Sequence, residues 1–71
     1  MNKFHKRLKE LRKLNDLTQL QLANKLNVYQ SRITKWENGQ HEPNIEMLIK
    51  LADALNTTID FLVGYSDINQ K

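Results

Sequence analysis

The sequence predicts an all-α fold: a compact bundle of five short helices in one domain. Three observations carry this. Leucines recur at three- and four-residue spacing in segment after segment. β-Branched residues are scattered and never alternate, which argues against sheet. Glycine and proline are few, and they stand between the periodic segments.

Phe4, Leu8, Leu11 and Leu14 form one stripe and predict a first helix over 3–14. The "NDL" that follows breaks it. Thr18 opens a second helix, with Gln21 three positions on, the spacing of a capping box. Leu22, Ala23 and Leu26 are its inner face, and Asn27 ends it in a left-handed conformation. A third helix runs over 30–38 and stops at Gly39. After the loop "QHEP", Asn44 caps a fourth, whose Ile45, Leu48, Leu51, Ala52 and Leu55 follow a helical period up to Asn56. Thr57 or Thr58 caps a last short helix carrying Ile59, Phe61 and Leu62, closed by Gly64. The domain is expected over 1–66. The tail "YSDINQK" has no periodicity, is expected to fray, and extends beyond the domain as 67–71.

Composition narrows the function classes. A chain of 71 residues lies near the lower limit for folding without staples, and it has no cysteine. The core must come from packed apolar side chains. No apolar run approaches the roughly 18 residues of a membrane span. The basic N-terminus lacks the apolar run of a secretory signal, so a cytoplasmic protein is expected. His5 and His41 have no ligand spacing, so no metal or cofactor is expected. No Ser–His–Asp arrangement, carboxylate pair or glycine-rich phosphate loop can be drawn, and a domain this small encloses little substrate. Neither an enzyme nor a small-molecule substrate is expected. The formal charge of +3 permits a polyanionic partner. It is polarised: residues 3–13 hold Lys3, Lys6, Arg7, Lys9, Arg12 and Lys13 against Glu10, whereas 42–67 hold five acids and one lysine. The first helix needs its apolar stripe for the core, which argues against a membrane-surface role.

The second and third helices are joined only by Asn27, Val28 and Tyr29, a link short enough to force a sharp crossing, as in a helix-turn-helix. At about 100° per residue, Gln30, Thr34, Asn38, Ser31 and Lys35 fall within roughly 140° of the third helix. Ile33 and Trp36 lie opposite as core anchors, with Arg32 and Glu37 at the edges. Gln matches the major-groove edge of adenine, Lys suits guanine, and Ser or Thr suits several bases. The polar face is therefore read as base-contacting through Gln30, Ser31, Thr34 and Lys35.

The chain resembles the Cro/repressor-type (XRE-like) helix-turn-helix domains of bacteria and their phages. The resemblance lies in "RLKELR" at 7–12, "LTQLQLANKLNV" at 17–28, "SRITKWENG" at 31–39, "EPNIEMLIKLADAL" at 42–55 and "FLVG" at 61–64. It covers about residues 4–65 and implies a five-helix domain of the phage-repressor type that binds double-stranded operator DNA, usually as a homodimer on a palindrome. By that resemblance Gln19 holds a backbone phosphate and buttresses the third helix. Asn38 is a phosphate contact, and Arg12 and Glu37 form a partly buried ion pair between the first and third helices. Independently of the resemblance, Lys25, Arg32 and Lys35, with Gln40 or His41, are expected to add phosphate contact and neutralisation.

Departures from the family pattern carry information. Asn27 and Asn56 replace the common glycine, and asparagine tolerates the left-handed turn. Tyr29 stands where Ser or Thr usually caps the third helix, losing the cap at roughly 1 kcal/mol. Its hydroxyl makes it a further candidate phosphate contact. Leu20 is apolar on the outer side of the second helix, where the family is polar. Phe61, Leu62, Val63, Tyr65 and Ile68 are the apolar candidates for a dimer surface. The functional expectation is a sequence-specific DNA-binding transcriptional regulator, a repressor. The alternative is an antitoxin-like protein-binding module with secondary DNA binding.

Overall fold

The computed structural model describes residues 3–70. Five helices follow in order: α1 (Phe4–Leu14), α2 (Gln19–Leu26), α3 (Gln30–Glu37), α4 (Ile45–Ala54) and α5 (Ile59–Leu62). No strand occurs among the described residues.

Local chemistry sets the boundaries. Thr18 Oγ1 accepts from the Gln21 backbone N–H at 3.0 Å, and Gln21 Oε1 accepts from the Thr18 N–H at 2.8 Å. This reciprocal box satisfies two donors that would otherwise be orphaned at the start of α2. Asn44 Oδ1 accepts from the Met47 N–H, and Thr58, of the two candidate threonines, caps α5 through the Phe61 N–H. Asn27 and Asn56 stand at φ 59 and 54, in the left-handed region their short side chains tolerate. Gly64 has φ +88, and a Cβ there would lie 2.8 Å from Lys3 Cβ, so the turn after α5 needs glycine on both counts.

The core is one cluster: Phe4, Leu8 and Leu11 of α1, Leu22, Ala23 and Leu26 of α2, and Ile33 and Trp36 of α3 pack with Leu48, Leu51, Leu55 and Leu62. Each such leucine contributes about 1.5–3 kcal/mol by burial. α3 is seated on α1 and α2, while α4 packs on α2 and α5. α3 thus rests on α1 and α2 and leaves its Gln30, Ser31 and Lys35 side exposed.

Four sequence expectations change. Leu14 is exposed, since it lies at one flank of the α1 stripe in the last turn; the opposite flank is buried and holds Arg12. Ile45 is exposed at the first position of α4, at the uncovered flank of the stripe made by Leu48, Leu51, Ala52 and Leu55. Leu62 is fully buried, because a four-residue helix offers few inward positions and it fills one.

The tail does not fray through Asn69. Arg7 Nη1 donates to the carbonyls of Phe61 at 2.5 Å and Ser66 at 2.6 Å, and Nη2 donates to Asp67 Oδ1 at 2.7 Å. The guanidinium also lies 3.9 Å from the Phe61 ring centroid. Lys3 reaches the same carboxylate at 3.1 Å, and the buried Thr57 hydroxyl donates to Asn69 Oδ1. The Arg7 hydrogen bond, then that of Lys3, holds the Asp67 carboxyl below its usual range.

Candidate nucleic-acid interface

α3 presents Gln30, Ser31, Arg32 and Lys35 to solvent and half-buries Thr34. Opposite them, Ile33 and Trp36 are buried. The arrangement follows from helical periodicity and from what fixes each end of the helix.

At its start, Tyr29 is extended (φ −73, ψ 146), makes no side-chain cap bond, and is 83% exposed. The Arg32 N–H donates to the Tyr29 carbonyl at 3.0 Å, which leaves the N–H groups of Gln30 and Ser31 for solvent or a ligand. Tyr29 lines a groove with Asn24, Asn27, Val28 and Arg32. At the other end, His5 Nδ1 lies 2.6 Å from the Trp36 carbonyl, which can only accept, so this ring nitrogen carries the proton.

Between the ends runs a polar network. Arg12 Nε and Nη2 donate to Glu37 Oε2 and Oε1 at 2.6 and 3.1 Å, and Nη1 donates to the Leu17 carbonyl. The Glu37 side chain is only 2% exposed. Gln19 Nε2 donates to Glu37 Oε1 at 3.1 Å. An ionised carboxylate only accepts, so the Gln19 amide has one permitted orientation and its oxygen points to α3. That oxygen accepts from Thr34 Oγ1 at 2.9 Å and, loosely, from Gln30 Nε2 at 3.5 Å.

The consequence is chemical. Gln30 keeps its Oε1 and a second Nε2 hydrogen, the acceptor–donor pair that adenine presents a match for in the major groove. Ser31 and Lys35 side chains make no hydrogen bond or ion pair among the described residues, and project outward as adaptable donors.

Other sequence-predicted residues fall at different distances from this network. Arg32 lies over Trp36, 5.7 Å from the ring centroid, and shares a concave patch with Lys35, His41 and Glu42. Asn38 and Gln40 are exposed just beyond α3. Lys25 sits at the far end of α2, beside Lys50 and Asp53, and is not brought to the network. Two positioning residues escaped sequence reasoning, His5 and Arg7. Their partners are backbone carbonyls 31 or more positions away, and no spacing rule reaches that far.

No helix among the described residues is long and apolar enough to cross a membrane, and no group of three or more His, Cys, Asp or Glu there is arranged for a metal.

Comparison with known proteins agrees with this geometry. A helix-turn-helix family model matches residues 8–62. The HTH-type transcriptional regulator ImmR of Bacillus subtilis is 33% identical over 93% of this chain and 52% of its own length. The HTH-type transcriptional activator BcrR of Enterococcus faecalis is 38% identical over 92% of this chain and 32% of its own. The cryptic phage CTXphi transcriptional repressor RstR of Vibrio cholerae is 38% identical over 97% of this chain and 63% of its own. The chain therefore spans one third to somewhat under two thirds of these relatives. The family match over residues 8–62 and these relatives agree with the five-helix fold: the chain belongs to the Cro/repressor-type (XRE-like) helix-turn-helix family.

Proposed function

We propose that the protein is a cytoplasmic, sequence-specific DNA-binding transcriptional regulator that acts as a repressor. It binds as a homodimer to a palindromic operator, and its work is binding rather than catalysis. The observation that carries this reading is the α3 face, where Gln30 and Thr34 are tethered to Gln19 while Gln30 keeps an outward acceptor–donor pair.

α3 lies in the major groove, with Gln30, Ser31, Thr34 and Lys35 on base edges. α2 spans the sugar–phosphate backbone. Its N-terminal N–H groups, the second Nε2 hydrogen of Gln19 and the Tyr29 hydroxyl address phosphates. Arg32, Asn38 and Gln40 extend that contact, and Lys25 contributes longer-range neutralisation. Half-sites about 34–36 Å apart suit two copies on one face of the duplex. Relatives named as a phage repressor and an immunity repressor support the repressor assignment, while one named as an activator shows that the family's regulators carry both signs.

Selection of bound sequences from random duplex DNA tests the reading. A palindrome with half-sites one helical turn apart is expected. Absence of any enriched sequence would transfer the reading to a protein-binding module.

A further inference from the structure

Away from the α3 face, one helix carries an unpartnered apolar face. Ile45 is 75% exposed and Ile49 48%, one turn apart on α4. The same helix buries Leu48, Leu51 and Ala52 against its neighbours, principally α2 and α5. Other exposed large apolar side chains do not form such a pair. Leu14, Leu20 and Tyr29 stand singly on other elements, and Tyr65 and Ile68 lie in the irregular tail. Of the dimer candidates drawn from sequence, Leu62 is in the core and Phe61 lies beneath the Arg7 guanidinium.

We infer that the Ile45/Ile49 face of α4 docks a second copy of this chain, the two α4 helices running antiparallel across a two-fold axis. A two-fold interface uses one patch twice, so the patch must complement itself. This one does. Glu46 and Lys50 flank the isoleucines four residues apart, with Nζ and Oε1 separated by 3.8 Å and both side chains largely exposed. Antiparallel pairing sets Ile45 of one copy against Ile49 of the other. It also turns each Glu46 toward the other copy's Lys50. An apolar centre with a rim of alternating charge is the usual anatomy of a specific interface, and a patch of one sign would repel its own copy.

Size decides when the contact forms. A ten-residue helix spans about 15 Å, and a contact that short buries less than the roughly 1,200 Å² of stable complexes. The copies are therefore weakly associated when free. Adjacent half-sites on DNA hold them at an effective concentration in the millimolar range, where the face closes. Docking through α4 leaves the α3 face open. The timing of closure rests on the proposed DNA binding; the face itself does not.

The absence of cysteine among the described residues allows a direct test. An equimolar mixture of Ile45→Cys and Ile49→Cys chains, and Leu20→Cys and Tyr65→Cys chains separately, are oxidised without DNA at about 1 mM, the millimolar regime of adjacent half-sites. The mixture is expected to form disulfide-linked 45–49 dimers several-fold faster than the other two chains form theirs; equal or slower linkage overturns the inference. In a second measurement, Ile45→Gln/Ile49→Gln binds a selected palindrome and the same duplex with one half-site scrambled. Affinity for the palindrome is expected to fall on the order of 10- to 100-fold, with the single half-site changed less than about twofold. Unchanged palindrome binding overturns the inference. An unaltered thermal melt checks that the double variant folds. If the unmodified chain selects no DNA, the proposed function fails and the cross-linking rates alone decide the docking face.

Discussion

The Gln19 amide nitrogen donates to Glu37 Oε1 at 3.1 Å, which turns the Gln19 oxygen toward α3. Through this one contact a buried ion pair sets the polarity of the outer α3 face. Arg12 holds Glu37, Glu37 orients Gln19, and Gln19 receives Thr34 and Gln30. The scaffold and the proposed DNA contacts are thus a single hydrogen-bonded chain.

The first prediction concerns the head of that chain. Arg12→Met strands the Glu37 carboxylate in a site with almost no solvent, and is expected to cost about 3–5 kcal/mol in urea unfolding. Replacing both partners, Arg12→Met with Glu37→Leu, removes the uncompensated charge and should recover most of that loss. A double variant as unstable as the single one would show that the pair's geometry, and not its buried charge, dominates.

Gln19 and Gln30 should act as a unit. On the selected operator Gln30→Ala is expected to lose about 1–3 kcal/mol, with much less lost on random DNA. Gln19→Ala should cost part of the same discrimination, and the double variant should lose less than the sum of the two. Fluorescence anisotropy on matched and scrambled duplexes measures all three. Strict additivity would mean that the 3.5 Å tether does not orient Gln30.

Binding should weaken steeply with salt, because each neutralised phosphate releases condensed counterions. Lys35→Ala and Arg32→Ala should each lower the slope of log affinity against log salt by about 1 if the side chain meets a phosphate. A Lys35→Ala variant with an unchanged slope but relaxed sequence preference would assign that lysine wholly to base edges.

The tail gives a pH prediction. Arg7 first and Lys3 second depress the folded-state pKa of Asp67, so the unfolded chain takes up this proton at higher pH than the folded one. The contribution is present above the ordinary aspartate range and is lost as pH falls through the lowered folded value. NMR titration of Asp67 should show a midpoint below that of a free aspartate. Asp67→Asn should flatten this part of the acid limb of stability, and an ordinary midpoint would mean the Arg7 bond is not held in solution.

Much of this architecture was legible in the order of residues, for local reasons. The Thr18–Gln21 box, the Asn44 cap and the left-handed Asn27 and Asn56 involve groups within a few positions of one another, where spacing dictates geometry. The division of α3 into a buried Ile33/Trp36 side and an outward Gln30/Ser31/Lys35 side follows from 3.6 residues per turn. Periodicity failed where a stripe is wider than its covering. Leu14 and Ile45 fit the repeat, yet no neighbouring helix reaches them.

Local chemistry thus accounts for the helices, most of their caps and the composition of the α3 face, since backbone hydrogen bonding and helical pitch act over a few residues. Which partners meet at long range depends on the packed fold. It sent Arg7 to the Phe61 and Ser66 carbonyls, His5 to the end of α3, and Gln19 to Glu37. Those choices depend on how helices stack, and stacking sets which polar groups, once removed from water, must find each other.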